Sequence, residues 1–298
     1  MPNFTAASLF AGMGGFAQGV VEAGFSHLWA NEENPEACAT FRLNHPSTRV
    51  IEKDVQTLSV EGDNLEPVDI LTAGFPCQPF SKAGERSGFQ DSRGTLFLEI
   101  IRILDEFGKS RPKVLLLENV PYLRIGDGGR WFDEIRDEIQ LAGYWFNDEH
   151  AEVLNTARTV GIPQERDRLF MVAFSTEVFR SNRFAFPEQD APRQDLFDLL
   201  EIGLVKDERY FLPENNRYYR QIMESVRSGS EQALYQYRKY FVRPIPEGVC
   251  PTLTANMGKG GHNVPFVLDN GRLRKLTERE CARLQGFPDS YEFPDDLA

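Results

Sequence analysis

The residue pattern best suited to covalent chemistry in this 298-residue chain is Gly74-Phe75-Pro76-Cys77-Gln78-Pro79-Phe80-Ser81. The thiol sits between two prolines, whose fixed φ angles make the turn rigid. It follows an apolar run, Val68 to Ala73, that reads as a buried parallel strand. A thiolate at the carboxyl end of such a strand stands where ligands bind in open α/β sheets, and can act as a nucleophile. A structural cysteine buried in a turn is the competing reading. Two more clusters carry chemistry. Leu117-Glu118-Asn119-Val120-Pro121 closes a second apolar strand. A carboxyl there, among apolar neighbours, is expected to titrate high and, when protonated, to hydrogen-bond a ring nitrogen. Gln164-Glu165-Arg166-Asp167-Arg168 opens a later strand. Arg166 and Arg168 are two apart, so one strand face should carry both and orient an anionic or carbonyl-bearing substrate. Exposed charges on an edge strand are the alternative.

These groups need a frame, and residues 1–174 supply one. Thr5 to Phe10 reads as a strand, then a glycine turn, then a helix through Glu22. Phe25 to Ala30 is a second strand and Pro35 to Leu43 the next helix. Val114 to Leu117 and Leu169 to Phe174 are further buried strands. Alternating strands and helices imply an α/β fold: a Rossmann-like, doubly wound, mostly parallel sheet. In Phe10-Ala11-Gly12-Met13-Gly14-Gly15 the glycines permit close approach of backbone to ligand at a helix start. The spacing is not Gly-x-Gly-x-x-Gly. The second strand ends in Asn31-Glu32-Glu33, where an acid can accept bonds from ribose hydroxyls. Asp54-Val55 ends a third strand and suits an adenine edge. Together they favour an adenosine-containing cofactor.

Beyond about 175 the pattern changes. Pro187, Pro192, Pro213, Pro244, Pro246 and Pro251 interrupt it and polar stretches lengthen. The expected division is 1–178, 179–270 and 271–298. In the last segment Leu276 to Gln285 reads as an amphipathic helix, with Thr277 as N-cap, Glu280 three residues on and Gly286 as stop. The four cysteines, Cys38, Cys77, Cys250 and Cys281, are widely separated, which argues against a zinc site or a disulfide framework and fits a reducing cytoplasm. No metal is expected, and no apolar stretch approaches membrane-spanning length. The net charge of −12 opposes nucleic-acid binding only if it is uniform. Residues 209–243 carry seven basic side chains against three acidic, interleaved with Tyr210, Phe211, Tyr218, Tyr219, Tyr235, Tyr237, Tyr240 and Phe241. Such a segment is a candidate nucleic-acid face; a solvated helix with core aromatics is the alternative.

In this order the motifs resemble the DNA (cytosine-5) methyltransferases, prokaryotic and of the restriction–modification type. The resemblance rests on the glycine turn, the Pro76-Cys77-Gln78 turn, Ser92-Arg93-Gly94-Thr95-Leu96-Phe97, Glu118-Asn119-Val120, Gln164 to Arg168, and Arg274-Lys275-Leu276-Thr277 through Gln285-Gly286-Phe287-Pro288. It covers residues 5–174 and about 250–290; the middle corresponds to the family's variable target-recognition region, the smaller, irregular domain. The resemblance implies S-adenosylmethionine held by Phe10, Gly12, Met13, Gly14, Gly15, Glu32, Asp54, Val55, Phe75, Pro76 and Leu96. Many relatives have a tryptophan where this chain has Glu33. It also implies methylation of C5 of a flipped-out cytosine in double-stranded DNA. Cys77 attacks C6, Glu118 binds the N3/N4 edge, Arg168 binds O2, and Arg166 orders Cys77 and the base. Residues 81–94 would be a loop closing over DNA. The implied DNA contacts are Gln78, Ser81, Lys82, Arg86 and Arg93, with Thr252, Leu253, Thr254 and Lys259 from the recognition region; a plain loop is the alternative for the latter.

The family's sequences continue beyond Gln-Gly-Phe-Pro into a Gly-Asn-Ser-Val-like turn that folds back on the catalytic domain. This sequence stops at Ala298. Truncation, a gene split over two polypeptides, and a chain that manages without the segment are the three expectations. The first two imply weak cofactor binding by this chain alone, and the second a partner polypeptide. An RNA cytosine methyltransferase on the same core, or a catalytically incomplete DNA-binding chain, are the alternative functions. A nicotinamide oxidoreductase leaves Pro76-Cys77-Gln78 unexplained.

Overall fold

Apolar tetrapeptides flanked by turn residues become strands, and the amphipathic stretches between them become helices. The computed structural model describes residues 4–76, 95–180, 184–238, 240–257 and 263–294. The first part runs β1 (Thr5–Leu9), α1 (Gly15–Glu22), β2 (Ser26–Glu32), α2 (Pro35–Asn44), β3 (Arg49–Glu52), β4 (Ile70–Ala73) and α3 (Thr95–Phe107). Then come β5 (Val114–Asn119), α4 (Tyr122–Ile125), α5 (Arg130–Leu141), β6 (Tyr144–Trp145), β7 (Ala151–Asn155), α6 (Thr156–Val160), β8 (Gln164–Glu165) and β9 (Asp167–Ser175). Last are α7 (Tyr219–Ser228), β10 (Tyr235–Arg238), β11 (Phe241–Pro244), β12 (Cys250–Pro251), β13 (Pro265–Asp269), β14 (Arg272–Lys275) and α8 (Glu278–Arg283).

The chain forms two units. The first takes residues 1–153, 168–186 and 291–298. Its sheet has the order β3-β2-β1-β4-β5-β9-β6, with β7 paired to β9. Pairing is parallel from β3 to β5; β9 runs antiparallel to β5 and β6 antiparallel to β9. The strand order reverses between β1 and β4, which opens a crevice at their carboxyl ends. Leu9, Leu71, Ala73, Leu115, Leu117 and Met171 are buried in the sheet against Phe97, Ile100, Ile103 and Leu104 of α3. Local sequence explains the helix starts. Asn34 caps α2 by accepting from Ala37 N, and Pro35 opens it with the φ a first turn needs.

The second unit takes residues 154–167 and 187–290. The expected division placed 154–167 with the first segment. Here β8 pairs in parallel with β12, Pro163 O accepts from Cys250 N, and Gln164 Nε2 donates to Leu284 O at 2.7 Å. The expectation of an irregular region is corrected: β11-β10-β13-β14 form an antiparallel sheet over Ile222, Val226, Tyr235, Phe266 and Leu273. Its prolines fall at strand ends, with Pro244 closing the edge strand β11, where a missing N–H costs nothing. The Thr277–Glu280 capping box forms as expected, and α8 spans the shorter Glu278–Arg283.

A buried ionic cluster ties this unit together. Arg274, fully buried, binds Asp269 at 2.6 Å and Glu280 at 2.7 Å. The same carboxylates accept from backbone N–H groups of Gly203, Glu201 and Thr277. Replacing Arg274 by Met leaves two carboxylates buried without their cation. A loss of about 3–5 kcal/mol is expected in guanidinium melts.

Within the first unit's sheet, His27 of β2 is buried between Ser8 Oγ (2.8 Å) and Thr48 Oγ1 (3.3 Å). Burial first, and then nearby His45, push its pKa down to about 4. Between pH 6.5 and about 4 the unfolded chain therefore binds a proton that the folded chain does not. Stability should fall with pH across that window by about 3 kcal/mol from His27. Urea melts of wild type and His27→Gln, compared at pH 7 and pH 4.5, check this; the variant should show the flatter dependence.

Candidate active site and cofactor cavity

A cavity of about 350 Å³ opens at the carboxyl edge of the first unit's sheet. It is lined by residues that leave four neighbouring strands. Phe10 follows β1, Glu32 ends β2, Asp54 and Val55 follow β3, and Gly74 and Pro76 follow β4; Leu96 of α3 closes one side. Asn31, Glu33, Lys53 and Gln56 line it too.

Phe10 has φ 53°, a left-handed conformation for a non-glycine residue. That costs about 1 kcal/mol or more and is characteristic of functional sites. Glu32 fixes the turns around it. Its Oε2 accepts from Gly12 N (2.8 Å), and its Oε1 accepts from Glu33 N (3.0 Å) and Asn34 N (2.9 Å). Asp54 accepts from Gln56 N at 2.9 Å and so starts the short 3-10 turn carrying Val55.

Of the glycine turn, only Phe10 lines the cavity. Gly12, Met13, Gly14 and Gly15 shape the loop. Gly14 caps α1 at φ 102°, and a Cβ there would lie 3.0 Å from the His45 ring and from Tyr291 Oη. Tyr291 donates to Met13 O, and Asn44 bonds Glu292 in both directions. Phe75 belongs to the core instead, its ring 5.4 Å from Phe97. Tyr291 and Asn31 carried no sequence signal, because their roles arise from contacts distant in the chain.

Glu118 and Arg168 meet at the same edge. Arg168 Nε donates to Glu118 Oε1 at 2.7 Å. Glu118 is thus paired with a guanidinium, not set in the apolar socket expected. Asn119 Nδ2 donates to Phe75 O at 3.0 Å, tying the residue before Pro76 to the end of β5. A Cβ on Gly74 would lie 3.6 Å from Glu118 Oε2. The cavity and the Glu118–Arg168 pair therefore share Gly74 as a common wall.

Arg166 is a correction. It lies between β8 and β9, in neither strand, so it does not share a strand face with Arg168. It belongs to the second unit, where it donates to Leu253 O at 3.3 Å. Leu253 is buried in that unit's core, which removes its side chain from the DNA-facing set. Thr252 Oγ1 donates to Glu165 O at 2.5 Å, and Thr254 O accepts from Met257 N. Cys77, Gln78, Ser81, Lys82, Arg86, Arg93 and Lys259, and with them the 81–94 loop, lie outside the described residues.

The other three thiols are poor nucleophiles. Burial, then the carboxylates of Glu52 and Glu32, push Cys38 up to about 11. Burial, then Glu280 and Glu278, push Cys281 up to about 12. Cys250 is raised well above its ordinary value, mainly by burial. Among the described residues no group of three or more His, Cys, Asp or Glu side chains is placed to hold a metal ion, and no helix is long and apolar enough to cross a membrane.

The profile of the C-5 cytosine-specific DNA methylases matches residues 4–298. The type II methyltransferase M.Bsp6I of Bacillus sp. (strain RFL6) is 37% identical over 292 residues, covering 97% of this chain and 89% of its own. M.HhaI of Haemophilus parahaemolyticus is 35% identical over 295 residues, covering 95% and 84%. Among solved structures, the S. pombe Dnmt2 methyltransferase superposes with a TM-score of 0.69 at 21% identity, covering 98% of this chain and 90% of that one. The Entamoeba histolytica methyltransferase EhMeth gives 0.68 at 17%, covering 100% and 91%. These two likenesses concern the fold.

Removing the cation from Glu118 tests the pair. Arg168→Met should lower turnover about 10- to 100-fold, the worth of one charge-assisted hydrogen bond, with the near-UV circular dichroism unchanged. Arg168→Lys keeps the charge without the fixed guanidinium geometry and should recover part of the loss.

Proposed function

We propose, for a chain that belongs to the C-5 cytosine-specific DNA methylase family, the following division of labour among its residues. The family's reaction is methyl transfer from S-adenosylmethionine to C5 of cytosine in DNA. The lining of the cavity suits that cofactor. Phe10 offers an aromatic face, Val55, Leu96 and Pro76 offer apolar walls, and Glu32 and Asp54 offer acceptors for hydroxyl and amine hydrogens. When bound, the cofactor supplies an electrophilic methyl on a sulfonium.

The chain's own residues make cytosine reactive toward it. C5 is a poor nucleophile until C6 is attacked, and the Cys77 thiolate forms that C6–S bond. Glu118, held by Arg168, binds the N3/N4 edge and offsets the charge that develops in the ring. Arg168 also reaches O2, and Arg166 orders the base. C5 takes the methyl as the donor's S–CH3 bond breaks to a neutral thioether; a base, a water or a side chain, then takes the C5 proton, its electron pair re-forms the C5–C6 double bond, and the C6–S bond breaks to regenerate the thiolate. Cys38, Cys250 and Cys281 are held as thiols, which leaves Cys77 for this role.

The observation that carries the reading is Gly74. It lines the cavity and stands beside Glu118, so methyl donor and base meet across a residue without a side chain. A duplex hides C5 and C6 in the stack, so the base flips out to react. The DNA-facing set is Gln78, Ser81, Lys82, Arg86, Arg93, Thr252, Thr254 and Lys259. A restriction–modification setting is the reading that the type II relatives support, and a cytoplasmic location goes with it.

Bisulfite sequencing of plasmid from a methylation-deficient host expressing the chain tests this. Protected cytosines should recur at one short sequence with wild type and vanish with Cys77→Ala. The variant should also lose the covalent adduct with 5-fluorocytosine DNA while still binding the duplex. An adduct that survives Cys77→Ala would overturn the assignment.

A further inference from the structure

Asn31 links two of the loops that line the cavity. Its backbone carbonyl accepts from Ala11 N at 3.0 Å, in the glycine turn. Its side-chain Nδ2 donates to Ile51 O at 3.1 Å and to Lys53 O at 2.8 Å, at the exit of β3. Both side-chain partners are carbonyl oxygens, so only the amide nitrogen can face them and the orientation of the amide is fixed. The residue is 1% exposed and lines the cavity. Asp54 and Val55 follow directly on Lys53. Phe10, held left-handed, directly precedes Ala11.

We propose that Asn31 is a positioning residue for cofactor affinity. It locks the glycine turn and the 53–55 turn to one strand end, so that Phe10, Asp54 and Val55 are pre-set before the adenosine moiety arrives. The assignment rests on reading this cavity as the cofactor site. Such a lock acts by preorganisation. Two loops that must be ordered on binding subtract from affinity; two loops already bonded to a buried amide do not. Chemistry at Glu118 lies on other strands, so affinity and turnover should separate.

The test uses the whole chain with S-adenosylmethionine titrated calorimetrically, and steady-state kinetics on DNA. Asn31→Asp is isosteric but sets a carboxylate oxygen against the two carbonyls. It should raise Kd and KM for the cofactor about 10-fold or more, with kcat at saturating cofactor within about 2-fold of wild type and DNA affinity unchanged. Asn31→Ser, which can keep one donor, should fall between. It decides the matter if Asn31→Asp does not fold. Thr72→Val is the control for plain destabilisation. Thr72 is buried and bonds Ser8 at 2.7 Å inside the sheet, so this variant should lower Tm without moving Kd. Unchanged cofactor affinity in both Asn31 variants, or a loss of kcat at unchanged affinity, overturns the proposal. Wild type that binds cofactor with an affinity indifferent to Glu32→Ala and Phe10→Ala overturns the cavity reading itself, and this proposal with it.

Discussion

One hydrogen bond, from Asn119 Nδ2 to the carbonyl of Phe75, makes the end of β4 and the end of β5 a single rigid edge. Both partners are buried, so the bond cannot be traded for water without cost. It fixes the main chain one residue before Pro76, the last described residue ahead of Cys77. It also ties the strand end that carries Glu118 to the backbone at Phe75. Asn31 does the corresponding work on the other side of the strand-order reversal, joining the exits of β1, β2 and β3. Two buried amides thus rigidify the whole carboxyl edge. They do so without placing a charge in the cavity, which leaves its electrostatics to Glu32, Glu33, Lys53 and Asp54.

Charge is handled differently in the two units. In the first, acidic side chains gather at the cavity, which suits the cationic methyl donor proposed to bind there. In the second, Arg274 is consumed internally by Asp269 and Glu280 and contributes nothing to a DNA-facing field. Arg272 and Arg220 are likewise paired, with Glu208 and Glu224, at the surface. Within 209–243 itself, Arg209 pairs with Asp207 and Arg220 with Glu224, so a count of basic residues there overstates what is left for phosphate. Tyr235, taken in the sequence for one of that segment's interleaved aromatics, is buried core, whereas Tyr240 and Phe241 are exposed.

Strands β1, β2, β4, β5 and β9 were legible because each is a short apolar run bounded by turn residues, and their ends were right to within two residues. Helix α2 was legible from Pro35 onward, and α8 through Thr277 and Glu280, since helix starts are set by local chemistry. Glu32, Asp54, Val55, Phe10, Pro76 and Leu96 came out in the cavity because motif positions at strand ends map onto one sheet edge. What failed was whatever depends on distant partners. Arg166 looked like a strand residue until the chain broke register between β8 and β9. Phe75 looked like a cofactor contact until its ring was taken by Phe97. The four-stranded sheet of the second unit was hidden because its strands are four or five residues long, too short for alternation to rise above the prolines around them.

The antiparallel strand β9 deserves its place in the chemistry. In a wholly parallel sheet every strand brings its carboxyl end to the active edge, so each can contribute only the residues that follow it. Because β9 runs the other way, its first residues arrive at that edge instead. Phe170 is opposite Glu118 in the register, and Arg168, two residues earlier on the same face, reaches the carboxylate diagonally. A cation some fifty residues away in sequence is delivered from a strand rather than from a loop, so its backbone is held by the sheet's own hydrogen bonds. Reversing one strand thus lets this fold place a fixed positive charge beside Glu118, a carboxylate whose own strand ends there.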